Sequence, residues 1–256
     1  MSTRPHESFA PISYFRPPYV AAVPIEMTRL GSVDAWRGSA LLWRLTDGSA
    51  QQREFEWLSD RPHGLPLVIM LPRPEHVSRA LPLLTYIRAL EPKAVIPDSA
   101  LGVPLHLKRI LYTTPTNVSA TIMGYLTRRG LFPDRGVYGE IQKIIELSED
   151  VRSISSLARR LYTSRRTLGR HFAAAGMPVP SHWLQFARLF RACLLLQSES
   201  ATVFSVAHKM KYPDGFTLSN QMKRMIGVRP SQVRGLGGWE WIIESWLKCE
   251  NVSRSG

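Results

Sequence analysis

Ser164 is followed by Arg165, Arg166, Thr167, Leu168, Gly169, Arg170, His171 and Phe172, residue types suited to holding a polyanion rather than to making or breaking bonds. A serine at this place caps a helix by accepting from a backbone N–H. Leu168 and Phe172, at i and i+4, face inward, so Arg165, Arg166, Gly169 and Arg170 lie on other faces of the same helix. A guanidinium offers two parallel donors that match guanine O6 and N7, about 1–3 kcal/mol of discrimination per pair. About fifty residues on, the layout recurs. Leu157-Ala158 precede the first arginine helix and Gly176 closes it. Val206-Ala207 and Tyr212-Pro213-Asp214 precede a second helix over Gly215 to Lys223, closed by Gly227. Small or apolar residues where two short helices meet, then a polar cap opening the second, describe a helix-turn-helix twice over. A solvated charged face on an ordinary bundle is the plain alternative for one copy, and repetition argues against it.

The charge agrees. The 256 residues carry a net +13, and the segment from Arg152 to Arg234 holds fourteen basic residues against two acidic ones, +12 of that total. Such concentration points to phosphate, since each Lys or Arg set against it releases condensed counterions. An anionic membrane surface would require a single basic face that these helices lack. With 44% apolar and 21% charged residues the chain is globular, not disordered. Its apolar runs fall short of a membrane span, and its proline-containing first twenty residues lack the unbroken apolar segment of a secretory signal. Two cysteines, Cys193 and Cys249, are too few for a disulfide framework or a structural zinc site, so a reducing cytoplasm fits. Cys193 reads as a buried, inert thiol.

The elements that must position these residues follow. Residues 1–24, with five prolines, read as an extended arm. From 25 to 60 two readings stay open, a hairpin turning at Asp47-Gly48 and a helix capped by Ser32. Leu65–Leu71 and Ala94–Pro97 read as buried strands, each followed by a helix (75–90 and 101–111), the pattern of a small parallel α/β unit. Helices follow at 117–130 and 137–148, with the domain boundary at 131–136. Ser181–Gln197 is apolar around much of its circumference and reads as a helix buried between two subdomains. In the tail, Trp239, Ile242, Ile243 and Trp246 share one helical face, which packs on the chain's own core or on a partner. The expected fold is mainly α: a C-terminal all-α double helix-turn-helix domain over 137–234, preceded by a small α/β domain over 25–131 and followed by a tail at 235–256 with a short amphipathic helix.

Ser155-x-Leu157-Ala158, Ser164-x-x-x-Leu168-x-Arg170-x-Phe172, Gly176, Arg188-x-x-x-Ala192-x-x-Leu195-Leu196, Val206-Ala207, Gly227-x-x-Pro230 and Arg234 together resemble the AraC/XylS family of bacterial transcription regulators. The resemblance covers 137–234 and implies two recognition helices entering successive major grooves from one chain. It implies double-stranded DNA and RNA polymerase as partners, without a cofactor. Carried over by position, the base-reading places fall on Arg166, Gly169 and Arg170, and on Gly215, Phe216, Ser219 and Asn220. Ser164 and Arg165 complete the first DNA-facing set. The second unit departs from the family's pattern, with Lys211 where a glycine is usual and Asn220 where arginine is frequent. The first unit is therefore expected to supply most base readout, and the second mainly phosphate contacts from Lys209, Lys211, Lys223 and Arg224.

The front half does not read as the β-barrel sensor common in that family. Asp98, after the strand AVIP, is a conceivable phosphoacceptor of a receiver-like fold, but no acidic cluster for Mg²⁺ accompanies it, and a helix cap is the stronger reading. Histidines 6, 63, 76 and 106 lack ligand spacing. The front half has no cysteine, which removes cysteine-dependent chemistry there, and GxSxG, P-loop and dinucleotide fingerprints are missing. The chain thus reads as a non-enzymatic regulator, with a small-molecule effector or a homodimer contact assigned to its N-terminal half. The competing reading is a signal- or partner-binding sensor that uses the α/β half and attaches to DNA without specificity.

Overall fold

The computed structural model describes residues 11–23, 25, 30–45, 51–72, 84–98, 102–132, 136–198 and 200–251. It separates into two compact units: Met1–Thr113 with Leu236–Trp241, and Thr114–Gly235 with Ile242–Gly256. The chain is mainly helical, with one small N-terminal sheet. Among the described residues no helix is long and apolar enough to cross a membrane.

Unit 1 is built on strands β1 (Ile12–Phe15), β2 (Ala22–Val23), β3 (Ala40–Arg44), β4 (Leu67–Leu71) and β5 (Ala94–Pro97), in the order β2-β1-β3-β4-β5. The apolar run at β4 makes the parallel core. Leu42 pairs with Val68 and Met70 with Ile96, and both faces of β4 are covered, as a continuous apolar strand requires. Phe15, Ala40, Leu42, Val68, Met70 and Ile96 meet Leu107 and Leu111 of a helix at Val103–Leu111 on one face. Short helices at Val33–Trp36, Gln51–Ser59 and Leu84–Ala89 complete the unit; in chain order these four are α1 (33–36), α2 (51–59), α3 (84–89) and α4 (103–111). The returning segment fits closely. Tyr19 Oη accepts from Gly237 N at 2.8 Å, and Gly238 N donates to Leu111 O at 2.8 Å. A Cβ on Gly237 would lie 2.7 Å from that hydroxyl, so only glycine fits there.

Several expectations for this half are corrected. The arm expected over 1–24 contains β1 and β2, with β1 antiparallel to both β2 and β3; residues 1–10 and 24 lie outside the described set. Its strand pairing offsets the proline content, since Tyr14 and Phe15 are buried. Of the two readings of 25–60, Ser32 does stand at the N-cap of a helix, but only of the four-residue α1 and without a side-chain cap bond, and the hairpin's expected second arm is not a strand. LLWR is a strand, but REFEWL lies within helix α2, where Leu58 is buried and Glu54 Oε2 accepts from Trp43 Nε1 at 2.9 Å. The Asp47-Gly48 turn is outside the described residues. So is most of the helix read at 75–90, of which Leu84–Ala89 is described. Asp98 does not cap the next helix, because α4 starts at Val103 after Gly102 with no side-chain cap.

Unit 2 holds α5 (Val118–Arg128), α6 (Tyr138–Leu147), α7 (Ile154–Arg160), α8 (Arg165–Ala174), α9 (Pro180–Leu196), α10 (Val203–Lys209), α11 (Gly215–Ile226), α12 (Pro230–Val233) and most of α13 (Glu240–Cys249). The boundary read at 131–136 falls inside this unit: α5 packs with α6, and Ser119 Oγ donates to Gln142 O at 3.4 Å. The helix read at Ser181–Gln197 is α9, opened by Pro180, with twelve residues buried and contacts to α6 through α8 and to α10 through α12. The 235–256 segment is not a separate tail. Trp246 stacks on Phe186 (centroids 4.1 Å, planes 12° apart) and meets Trp183 edge-on at 4.6 Å. Glu244 accepts from Tyr125 Oη at 2.7 Å and from Arg129 Nε at 3.0 Å.

Candidate nucleic-acid interface

Each half of the basic region is built the same way. Ser153 Oγ accepts from Ser156 N at 3.1 Å and starts α7; Thr202 Oγ1 accepts from Ser205 N at 3.0 Å and starts α10, where the Ser205 hydroxyl also accepts from Thr202 N. Each first helix then stops on a left-handed residue, Tyr162 at φ 52° and Lys211 at φ 57°. The chain folds back through matching hydrogen bonds, from Thr163 N to Ala158 O at 3.0 Å and from Tyr212 N to Ala207 O at 2.8 Å. The glycine usual at Lys211 answers a real requirement, since a non-glycine residue in this conformation costs roughly 1 kcal/mol. Ser164 then caps α8 by accepting from Thr167 N at 3.0 Å, and Asp214 caps α11 by accepting from Thr217 N at 2.6 Å. Leu157, Ala158, Leu168 and Phe172 are buried in the first half, and Val206, Ala207, Leu218 and Met222 in the second.

The cap on α11 carries a testable pH dependence. The Thr217 backbone N–H, followed by its hydroxyl, holds the Asp214 carboxyl below its ordinary 3.8. A depressed folded value means that the cap's contribution is complete above the ordinary value and is lost as pH falls through the folded one. Unit 2 is therefore expected to lose helical stability below about pH 4 in part through this group, and Asp214→Asn should remove that part of the acid sensitivity in denaturation followed by circular dichroism. An unchanged acid profile would count against the cap.

On α8, Arg166 and Arg170 are exposed opposite the buried Leu168 and Phe172, and Arg165 is exposed in the first turn. No ion pair among the described residues ties them down. Gly169 lies between them with nothing within 4 Å of where a Cβ would stand. Such a glycine weakens the helix for no packing reason, so Gly169→Ala is expected to raise unit 2 stability by about 0.5–1 kcal/mol in denaturant titration. If a duplex lies close against α8 here, the same change lowers DNA affinity.

The second set of expected residues divides. Phe216 (74% exposed) and Asn220 stand outward on α11, while Leu218, Met222, Met225 and Ile226 cover its other side. Gly215 is half-buried; a Cβ there would meet Val203 Cγ1 at 3.3 Å, so this glycine lets α10 and α11 approach. The Ser219 hydroxyl donates back to its own helix, to Gly215 O at 2.8 Å. Lys223 Nζ donates to Gly227 O at 3.1 Å and Arg224 to Gln185 Oε1 at 3.4 Å, which places both cations at the C-terminal end of α11. Lys209 and Lys211 are exposed and line an open groove with Arg152, His208, Tyr212 and Pro213.

Two residues of this region escaped sequence reasoning. Arg152, just ahead of the α7 cap, shares the groove with Lys209 and Lys211 and so joins the cations of the two halves; only its basic character gave a hint. Arg188, one of the motif residues on α9, is buried, donates to Met210 O at 2.5 Å and lies 5.4 Å from the Tyr212 ring centre. It holds the second turn to the central helix. Burial lowers the pKa of Arg188 and pushes the Tyr212 hydroxyl up to about 12, so the tyrosine stays neutral beside the cation. Burial likewise raises the Cys193 thiol, in keeping with an inert group.

Residues 157–235 match a family model described as a helix-turn-helix domain. The match covers both halves from the middle of α7 to just past α12, and leaves α5, α6 and α13 outside it. No curated protein and no solved structure matches the chain.

Proposed function

With residues 157–235 an AraC-type helix-turn-helix domain, the DNA-binding part of transcription regulators, we propose that this chain binds specific DNA sites by setting α8 and α11 into successive major grooves of one duplex. Its role lies in binding and not in catalysis. In this reading Arg166 and Arg170 read base edges, with Ser164, Arg165 and Gly169 at the same contact, and Lys209, Lys211, Lys223 and Arg224 fix the register on phosphates. The observation that carries it is the exposed arginine face of α8, without an ion pair among the described residues, together with a second, equally capped helix of the same design mounted on the same central helix α9. Unit 1 serves as the signal- or partner-sensing half in the cytoplasm, and RNA polymerase is the partner through which binding changes transcription.

The test is to select bound fragments from random DNA and compare their affinity with that of scrambled DNA over a range of salt. A specific regulator keeps a gap of about a thousandfold or more, while both affinities fall with salt. Equal affinity at every salt concentration would leave only loose attachment and favour a sensor acting through unit 1.

A further inference from the structure

Phe216 and Asn220 are one helical turn apart on the exposed side of α11, and the neighbouring Gly215 and Ser219 offer a duplex less: one has no side chain and the other has committed its only donor. Gly215 is packed against Val203, and the Ser219 hydroxyl is bonded to its own helix. What remains outward is one large apolar ring and one carboxamide, about 6 Å apart along the helix, or roughly two base-pair rises. A phenylalanine 74% exposed on a polar helix face leaves apolar surface in water that a partner would cover. The surrounding exposed side chains Lys209, Lys211, Lys223 and Arg224 favour a polyanion as that partner.

We propose that α11 reads an element containing A·T pairs: the Phe216 ring seats on a thymine 5-methyl group, and the Asn220 side chain pairs with adenine N6 and N7. The second half thus contributes sequence choice as well as phosphate contact, with a preference that complements the guanine-reading arginines of α8. This rests on the reading of α8 and α11 as recognition helices. Phe216 is exposed and its replacement removes no core contact, so Phe216→Ala leaves the fold intact.

The experiment uses the full chain and a selected site in which the thymines of one half at a time are replaced by deoxyuridine, which removes only the methyl group. For the unaltered protein, uracil in the half bound by α11 is expected to weaken binding about fourfold per methyl lost, the fold-change of one buried CH₂. Phe216→Ala should bind thymine and uracil sites equally. Asn220→Ala should keep the uracil response and lose its preference for adenine at one position. A selected site without thymine in that half, no response to uracil, or equal weakening of both sites by Phe216→Ala would overturn the proposal. Failure of the unaltered protein to prefer any sequence would instead overturn the reading of both helices.

Discussion

Trp246→Ala is expected to cost unit 2 about 3–5 kcal/mol, the range for deleting a fully buried large aromatic. Trp246 has no exposed surface and lies between Phe186 and Trp183 of α9. Since α9 touches the helices of both halves, the cavity loosens the element on which α8 and α11 are mounted. Against a typical total of about 5–15 kcal/mol, such a loss takes a large share of the stability, and DNA binding should fall in step with the folded fraction. Urea denaturation followed by far-ultraviolet circular dichroism gives the number, with Lys248→Ala on the exposed side of the same helix as a control expected to change little. A loss under 1 kcal/mol would mean that α13 is dispensable to the unit.

Arg170→Ala is expected to weaken binding to a selected site roughly 5- to 150-fold, the equivalent of 1–3 kcal/mol, and to flatten base preference at one position. Random DNA should lose much less. Lys223→Ala should weaken all sequences about equally and reduce the slope of affinity against salt by about one. Its bond to Gly227 O is a helix-end contact whose loss is small, so the two variants separate base reading from charge. Footprints unchanged in both variants would remove α8 and α11 from the interface.

The second half of the chain was legible because its information is local. Ser164 and Asp214 cap the helices expected of them, and Leu168 and Phe172 are buried at the spacing that turns Arg166 and Arg170 outward. What was hidden depends on distant partners. The proline-containing start gains strand β1 only by pairing Tyr14 with Leu41, which no local pattern announces. Helix α2 carries residues equally suited to a strand, and the hydrogen bond between Trp43 and Glu54 belongs to its helical form. The same limit applied at the interface. Gly215 and Ser219 were expected to read bases, yet Gly215 lets α10 approach and the Ser219 hydroxyl donates to its own helix, whereas Arg188, a cation in a basic stretch, is a buried brace for the second turn.

Because Leu236–Trp241 completes the sheet-bearing unit while the residues on either side of it belong to the helical one, no single cut divides this protein into two whole pieces. A fragment ending at 113 would lose the strand of chain that engages Tyr19 and Leu111, and one ending at 235 would forfeit Trp246. Separate expression of the halves would call for rewiring: a linker supplying 236–241 to the first, and a bridge from 235 to 242 in the second.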